Sequence, residues 1–205
     1  MNRKPSCRMS NSEYDKQIAL DLQGGGALGS YQAGVYEAMA ENGYQPDWVA
    51  GISIGAINSA IIAGNAPHDR VARLRAFWEQ VSSLSASWLD SPLETWQDTM
   101  RRLSAMSALL FGQPGFFRRN LLRCWTTGTL PTSYYDTSDL METLERLVDF
   151  DRINALETRF SVGAVNVRTG NFACFDNARQ TIRSEHVMAS GALPPGKCRM
   201  RSARV

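Results

Sequence analysis

Two short stretches of the chain hold residues that can do chemistry. Residues 51–55 read GISIG, a serine framed by glycines in the order G-x-S-x-G. Residues 23–29 read QGGGALG, in which Gly24, Gly26 and Gly29 keep the spacing G-x-G-x-x-G. A serine on a sharp strand-to-helix turn is lifted clear of its sheet, where its hydroxyl can attack an acyl carbon. A glycine loop exposes backbone N–H groups, which can hold either the pyrophosphate of a dinucleotide or the oxyanion of acyl transfer.

The next strand decides between these uses. A dinucleotide site needs a carboxylate at the end of the second strand, to bind a ribose hydroxyl. Here that strand ends in Gly51-Ile52-Ser53-Ile54-Gly55, and Asp47 precedes the strand at its opposite end. The residue at the required place is the serine. Ser53 is therefore expected to be a nucleophile, with Gly24, Gly25 and Gly26 as oxyanion donors. Gly29, Gly51 and Gly55 are expected to allow the close packing that such a turn demands.

The elements that position these residues follow from patterning. IALDLQ (18–23) is a short apolar run before the glycines and reads as a buried strand. SYQAGVYEAMAEN (30–42) has helical spacing and stops at Gly43. DWVAGIS (47–53) reads as a second strand, and IGAINSAIIA (54–63) as a helix apolar nearly all round, hence buried. Strand, helix, strand, helix in this order implies a parallel sheet covered on both faces. Further on, 68–81 reads as an amphipathic helix with Val71, Leu74, Phe77 and Trp78 on one side. A helix follows from Asp139 to about Val148, capped by Thr137 or Ser138. Two strands, 159–167 and 171–175, are joined through Thr169-Gly170, and SEHVMAS (184–190) is a short helix.

Composition narrows the class. With 205 residues, 43% apolar and 20% charged, the chain supports one good core and is not a disordered sequence. No stretch reaches the ~18 consecutive apolar residues of a membrane span. The N-terminal 17 residues carry Arg3, Lys4 and Arg8 without an apolar segment behind them, and read as a loose tail rather than a signal peptide. Cys7, Cys124, Cys174 and Cys198 are scattered with no C-x-x-C pair, which argues against a zinc site and fits a reducing compartment. No metal or other cofactor is expected, and a net charge of +2 is too small to imply nucleic acid. The expected location is the cytoplasm, with peripheral membrane contact as an addition.

The base is harder to find. His68 follows Asn65-Ala66-Pro67 at a helix start and reads as a surface residue. His186, in the short helix before ASGALPP, reads as packing or a cap. A Ser-His-Asp triad is poorly supported, whereas a serine paired directly with an aspartate needs no histidine.

Taken in order, QGGGALGSYQAGV, GISIGAINSA, VNVRTGNF and EHVMASGALPP resemble a bacterial patatin-like phospholipase, from about Ile18 to Pro195. The resemblance implies a three-layer α/β/α fold with a mainly parallel central sheet, and a Ser–Asp dyad that deacylates lipids. It implies Ser53 as nucleophile, Gly24 to Gly26 as oxyanion loop, and a lipid or other ester as substrate. Many relatives carry a basic residue in that loop; this chain has Ala27 and Leu28. The family's aspartate lies in D-G-G or D-G-A beyond the ASGALPP-like segment, and no aspartate of this sequence is followed by glycine. Asp176, followed by Asn177, is a poor stand-in. The expectation is a patatin-like domain over 18–196, incomplete at its C-terminus, with an aromatic-rich helical insertion at about 82–130. That insertion holds Trp88, Trp96, Phe111, Phe116, Phe117 and Trp125 and reads as a small subdomain or as a lid or membrane-contacting flap. The final nine residues, KCRMRSARV, hold four basic side chains and no acid, and read as an atypical tail after a truncation or frame change. A non-catalytic lipid- or partner-binding protein is the second expectation.

Overall fold

The computed structural model describes residues 16–86, 112–113, 117–119, 135–136 and 138–192. The two termini and most of the aromatic insertion, including its expected boundaries, lie outside these residues.

The chain begins with strand β1 (Ala19–Leu22), a single 3₁₀ turn over Gly26–Leu28, and helix α1 (Gly29–Glu41). Strand β2 (Trp48–Ile52), helix α2 (Ile54–Ala63) and helix α3 (Arg70–Ala86) follow. After the short strands β3 (Gly112–Gln113), β4 (Phe117–Arg119) and β5 (Tyr135–Asp136) come α4 (Ser138–Leu147) and α5 (Phe150–Asn154). Strands β6 (Arg159–Val165) and β7 (Phe172–Asp176) and helix α6 (Ser184–Ser190) complete the described part.

The main sheet has the order β1-β2-β6-β7. β1, β2 and β6 run parallel, and β7 returns antiparallel to β6. This is an α/β fold on a mixed, mostly parallel sheet. Strands β3, β4 and β5 form a separate small antiparallel sheet. The sequence reading names no strand in this stretch, and the two-residue β3 offers too short a pattern to be read as one.

Burial alternates along β2, whereas β6 is buried from Phe160 to Ala164. Val49 on β2 and Phe160 and Val162 on β6 are all fully buried, and β2–β6 register pairs Val49 with Phe160. Trp48 and Ile52 on β2, Val165 on β6 and Phe172 on β7 are exposed. Every residue of α2 is buried, as its apolar sequence requires. One arginine sits inside this core. Arg70, 3% exposed, donates to Asn65 O, Gln45 Oε1 and Thr158 Oγ1, so α3 is tied to the loop before β2 and to the start of β6.

Candidate active site

The register Leu22↔Gly51 brings the carboxyl ends of β1 and β2 together, and each chain leaves the sheet at that edge. β1 runs out into the glycine loop. β2 runs out into Ser53, which caps α2.

Ser53 has φ 56° and ψ −121°, a conformation that residues with a Cβ rarely adopt. Its neighbours explain how the fold tolerates it. A Cβ on Gly51 would lie 2.3 Å from Gly55 O, and one on Gly55 would lie 2.0 Å from Leu22 O. The first turn of α2 is thus pressed directly on the backbones of β2 and β1. Any side chain at either glycine would push the helix off the sheet and open the turn. Both glycines of G-x-S-x-G have a steric reason to be there.

The glycine loop lies beside Ser53. A Cβ on Gly24 would stand 3.3 Å from Ser53 Cβ, so the loop backbone passes the serine in near contact. Gly25 (φ 155°) and Gly26 (φ 58°) both occupy backbone regions open to glycine. Among the described residues nothing accepts from their N–H groups. At Gly29 a Cβ would meet Ile54 Cγ1 at 2.6 Å and Trp78 Cζ2 at 3.0 Å, so this glycine lets α1 seat on α2 and α3. The start of α2 adds its own polarity. Ala56 and Ile57 donate to Ser53 O, and among the described residues the N–H groups of Ile54 and Gly55, at the positive end of the helix, have no partner. The Ser53 turn thus lies between the glycine loop and the N-terminal end of α2.

Ser190 holds the turn from the other side. Its Oγ accepts the N–H of Ser53 at 2.8 Å and donates to Gly163 O at 2.5 Å. The last turn of α6, the end of β6 and the Ser53 turn are joined by this one hydroxyl. Sequence reasoning missed it, although EHVMASGALPP was singled out. Nothing in the spacing of a small polar residue near a helix end tells which backbone it will meet.

Among the described residues Ser53 Oγ has no hydrogen-bond partner. Asp176 does not supply one. It ends β7 opposite Ser161, which pairs in turn with Ala50, three residues before Ser53 on β2. That separation is roughly 10 Å along the strand. The Asp176 carboxylate also has its own partners: Arg159 at 2.8 Å, Ser161 Oγ at 2.9 Å and the N–H of Ala178 at 2.8 Å. Burial pushes its pKa up, but the hydrogen bonds from Arg159, Ala178 and Ser161 outweigh burial and hold it below the ordinary value. Asp176 is an ion-paired carboxylate on β7, two strands from β2.

Among the described residues neither histidine is hydrogen-bonded to Ser53. His68 is exposed beside Asp69. His186 Nδ1 accepts the N–H of Arg183 at 3.0 Å, and its ring stands edge-on to Phe175, the packing and capping roles read from its place in the sequence. Among the described residues no group of His, Cys, Asp and Glu is gathered to hold a metal ion. No helix among them is long and apolar enough to cross a membrane.

Comparison with known proteins gives a consistent family. The Patatin family, described as patatin-like phospholipase, matches residues 20–196. Patatin-like phospholipase domain-containing protein ZK370.4 of Caenorhabditis elegans is 33% identical over 147 residues, 71% of this chain and 10% of that protein. Patatin-like phospholipase domain-containing protein 7 of Rattus norvegicus is 38% identical over 74 residues, 36% of this chain and 6% of that protein. The chain thus spans a tenth or less of these relatives. Among solved structures, VipD from Legionella pneumophila aligns with TM-score 0.46 and 16% identity, covering 91% of this chain and 44% of that one.

Proposed function

Since this chain belongs to the patatin-like phospholipase family, we propose that it is a serine acyl hydrolase acting on lipid esters, with Ser53 as nucleophile. The observation that carries this reading is the strained Ser53 turn, φ 56° and ψ −121°, set against the Gly24 backbone. Backbone strain of this size costs about 1–3 kcal/mol, and strained backbone of this kind clusters at functional sites.

In the proposed reaction Ser53 Oγ attacks the ester carbonyl carbon. The carbonyl oxygen takes the electron pair, and N–H groups of Gly24, Gly25 and Gly26 stabilise it. Collapse expels the alcohol, which takes up a proton, and leaves the acyl chain on Ser53; water then releases the acid. One oriented donor is worth about 10²–10³ in rate, so the loop is the main source of acceleration on this chain. No cofactor enters.

The proton of Ser53 needs an acceptor, and that is the role for which this sequence offers no motif, because no aspartate precedes a glycine. The lack of any partner for Ser53 Oγ among the described residues favours a second reading, a lipid- or partner-binding protein that does not turn over. Hydrolysis of p-nitrophenyl butyrate by the 205-residue chain, against Ser53→Ala, separates the two. Circular dichroism confirms that both proteins are folded. A Ser53-dependent rate supports the hydrolase. Equal rates from two folded proteins overturn it, and phospholipid-vesicle binding that survives Ser53→Ala then supports the second reading.

A further inference from the structure

A run of hydrogen bonds leads from the core of the helical layer to the glycine loop, and its direction is forced at each step. It starts at Trp78, whose indole N–H can only donate. It donates to Asn58 Oδ1 at 3.1 Å. Asn58 is fully buried on α2, five residues after Ser53, and with its oxygen occupied it must donate through Nδ2. Nδ2 gives one hydrogen bond to Gly29 O at 2.9 Å and one to Gln32 Oε1 at 3.0 Å. Gln32 on α1 is thereby fixed with its oxygen inward and its NH₂ outward. That group donates to Gln23 O at 2.8 Å.

The last acceptor is the informative one. Gln23 C=O and Gly24 N–H belong to one planar trans peptide, in which they point in opposite directions. Holding the carbonyl of Gln23 therefore aims the N–H of Gly24. The plane could otherwise turn easily, because it opens a run of three glycines. Gly24 is also the glycine at which an added Cβ would stand 3.3 Å from Ser53 Cβ.

We infer that Gln32, oriented by Asn58 and Trp78, is a positioning residue that aims the Gly24 N–H as an oxyanion donor. This rests on the hydrolase reading above. Asn58 acts through Gln32, and neither side chain touches substrate. On this inference an indole on α3 helps to set the direction of a backbone donor after β1.

The test uses Gln32→Glu, which keeps shape and the acceptor for Asn58 but has no N–H to give Gln23 O. In the full chain with p-nitrophenyl butyrate, kcat is expected to fall about ten- to a hundredfold with KM unchanged. Gln32→Met should match it if that variant folds. A packing role predicts instead a wild-type kcat for the glutamate. A second readout needs no activity: the ¹⁵N heteronuclear NOE of the Gly24 amide should fall in Gln32→Glu, while that of Ser53, held by Ser190, should not. If Ser53→Ala shows that wild type has no Ser53-dependent rate, the hydrolase reading fails and the positioning role is judged on this amide. Unchanged order at Gly24, or an unchanged kcat in a Ser53-dependent enzyme, overturns the inference.

Discussion

The hydroxyl of Ser190 accepts the backbone N–H of Ser53 at 2.8 Å while donating to Gly163 O. The strained residue is thus held by a side chain 137 positions away, on the far helix of the sheet. A hydroxyl suits this task because it can accept and donate at once. Removing it leaves two backbone groups without partners in a half-buried place. Ser190→Ala is expected to lose about 1–2 kcal/mol in urea unfolding. It should also reduce any Ser53-dependent esterase rate more than KM. Ser190→Thr keeps the hydroxyl and should recover most of both. A Thr variant as impaired as Ala would place the effect in packing instead.

The conformation of Ser53 predicts a conflict between stability and function. At φ 56° and ψ −121° a glycine is unstrained and an alanine is as strained as serine. Ser53→Gly is therefore expected to be more stable than Ser53→Ala by about 1 kcal/mol, although glycine ordinarily loses more chain entropy on folding. Thermal melts of the two variants decide this. A Gly variant that melts below the Ala variant would mean that the turn carries no strain.

At Gly55 the conflict is purely steric. A methyl there would meet Leu22 O at 2.0 Å, and neither the strand nor the helix can give way without breaking the contact that shapes the turn. Gly55→Ala should destabilise the protein by about 2–3 kcal/mol or more, with loss of soluble expression as the extreme case. Gly34→Ala is the control, since a methyl there meets nothing within 4 Å. In the middle of α1 it should stabilise by about 0.5–1 kcal/mol. Opposite signs at the two glycines, read by denaturant unfolding, separate packing from helix propensity.

Much of this was legible in sequence because it depends on local pattern. The apolar run 54–63 had to be a buried helix, and it is buried at every residue. Ser53 could be singled out because a strand, a serine between glycines and a small-residue helix follow in that order. The supports of the site were not legible. Ser190, Asn58, Gln32 and Trp78 meet only through tertiary packing, and each is an ordinary residue where it stands. The same is true of α5, whose five residues carry too little periodicity to be read. Its one signal is Asp149, which caps it by accepting the N–H of Arg152.

Asp176 gives the last prediction, on pH. Its carboxylate is buried and accepts from Arg159, Ser161 and Ala178, which hold its pKa below the unfolded value of about 3.9. Such a group stabilises the fold fully above the unfolded pKa, and the contribution is lost as pH falls through the folded pKa. Arg159 is itself half exposed, so solvent screens part of the attraction. Asp176→Asn keeps the shape and some hydrogen bonds but removes the charge, and should cost about 1–2 kcal/mol at neutral pH. The difference between wild type and variant should stay level from pH 7 to about pH 5 and shrink below pH 4. Esterase activity, if Ser53-dependent, should survive the change, because Asp176 lies two strands from β2 and in register with Ala50, three residues before Ser53. Urea unfolding across this range, with the esterase rate measured alongside, checks both halves. A variant that is fully stable but inactive would turn Asp176 from a structural residue into a member of the site.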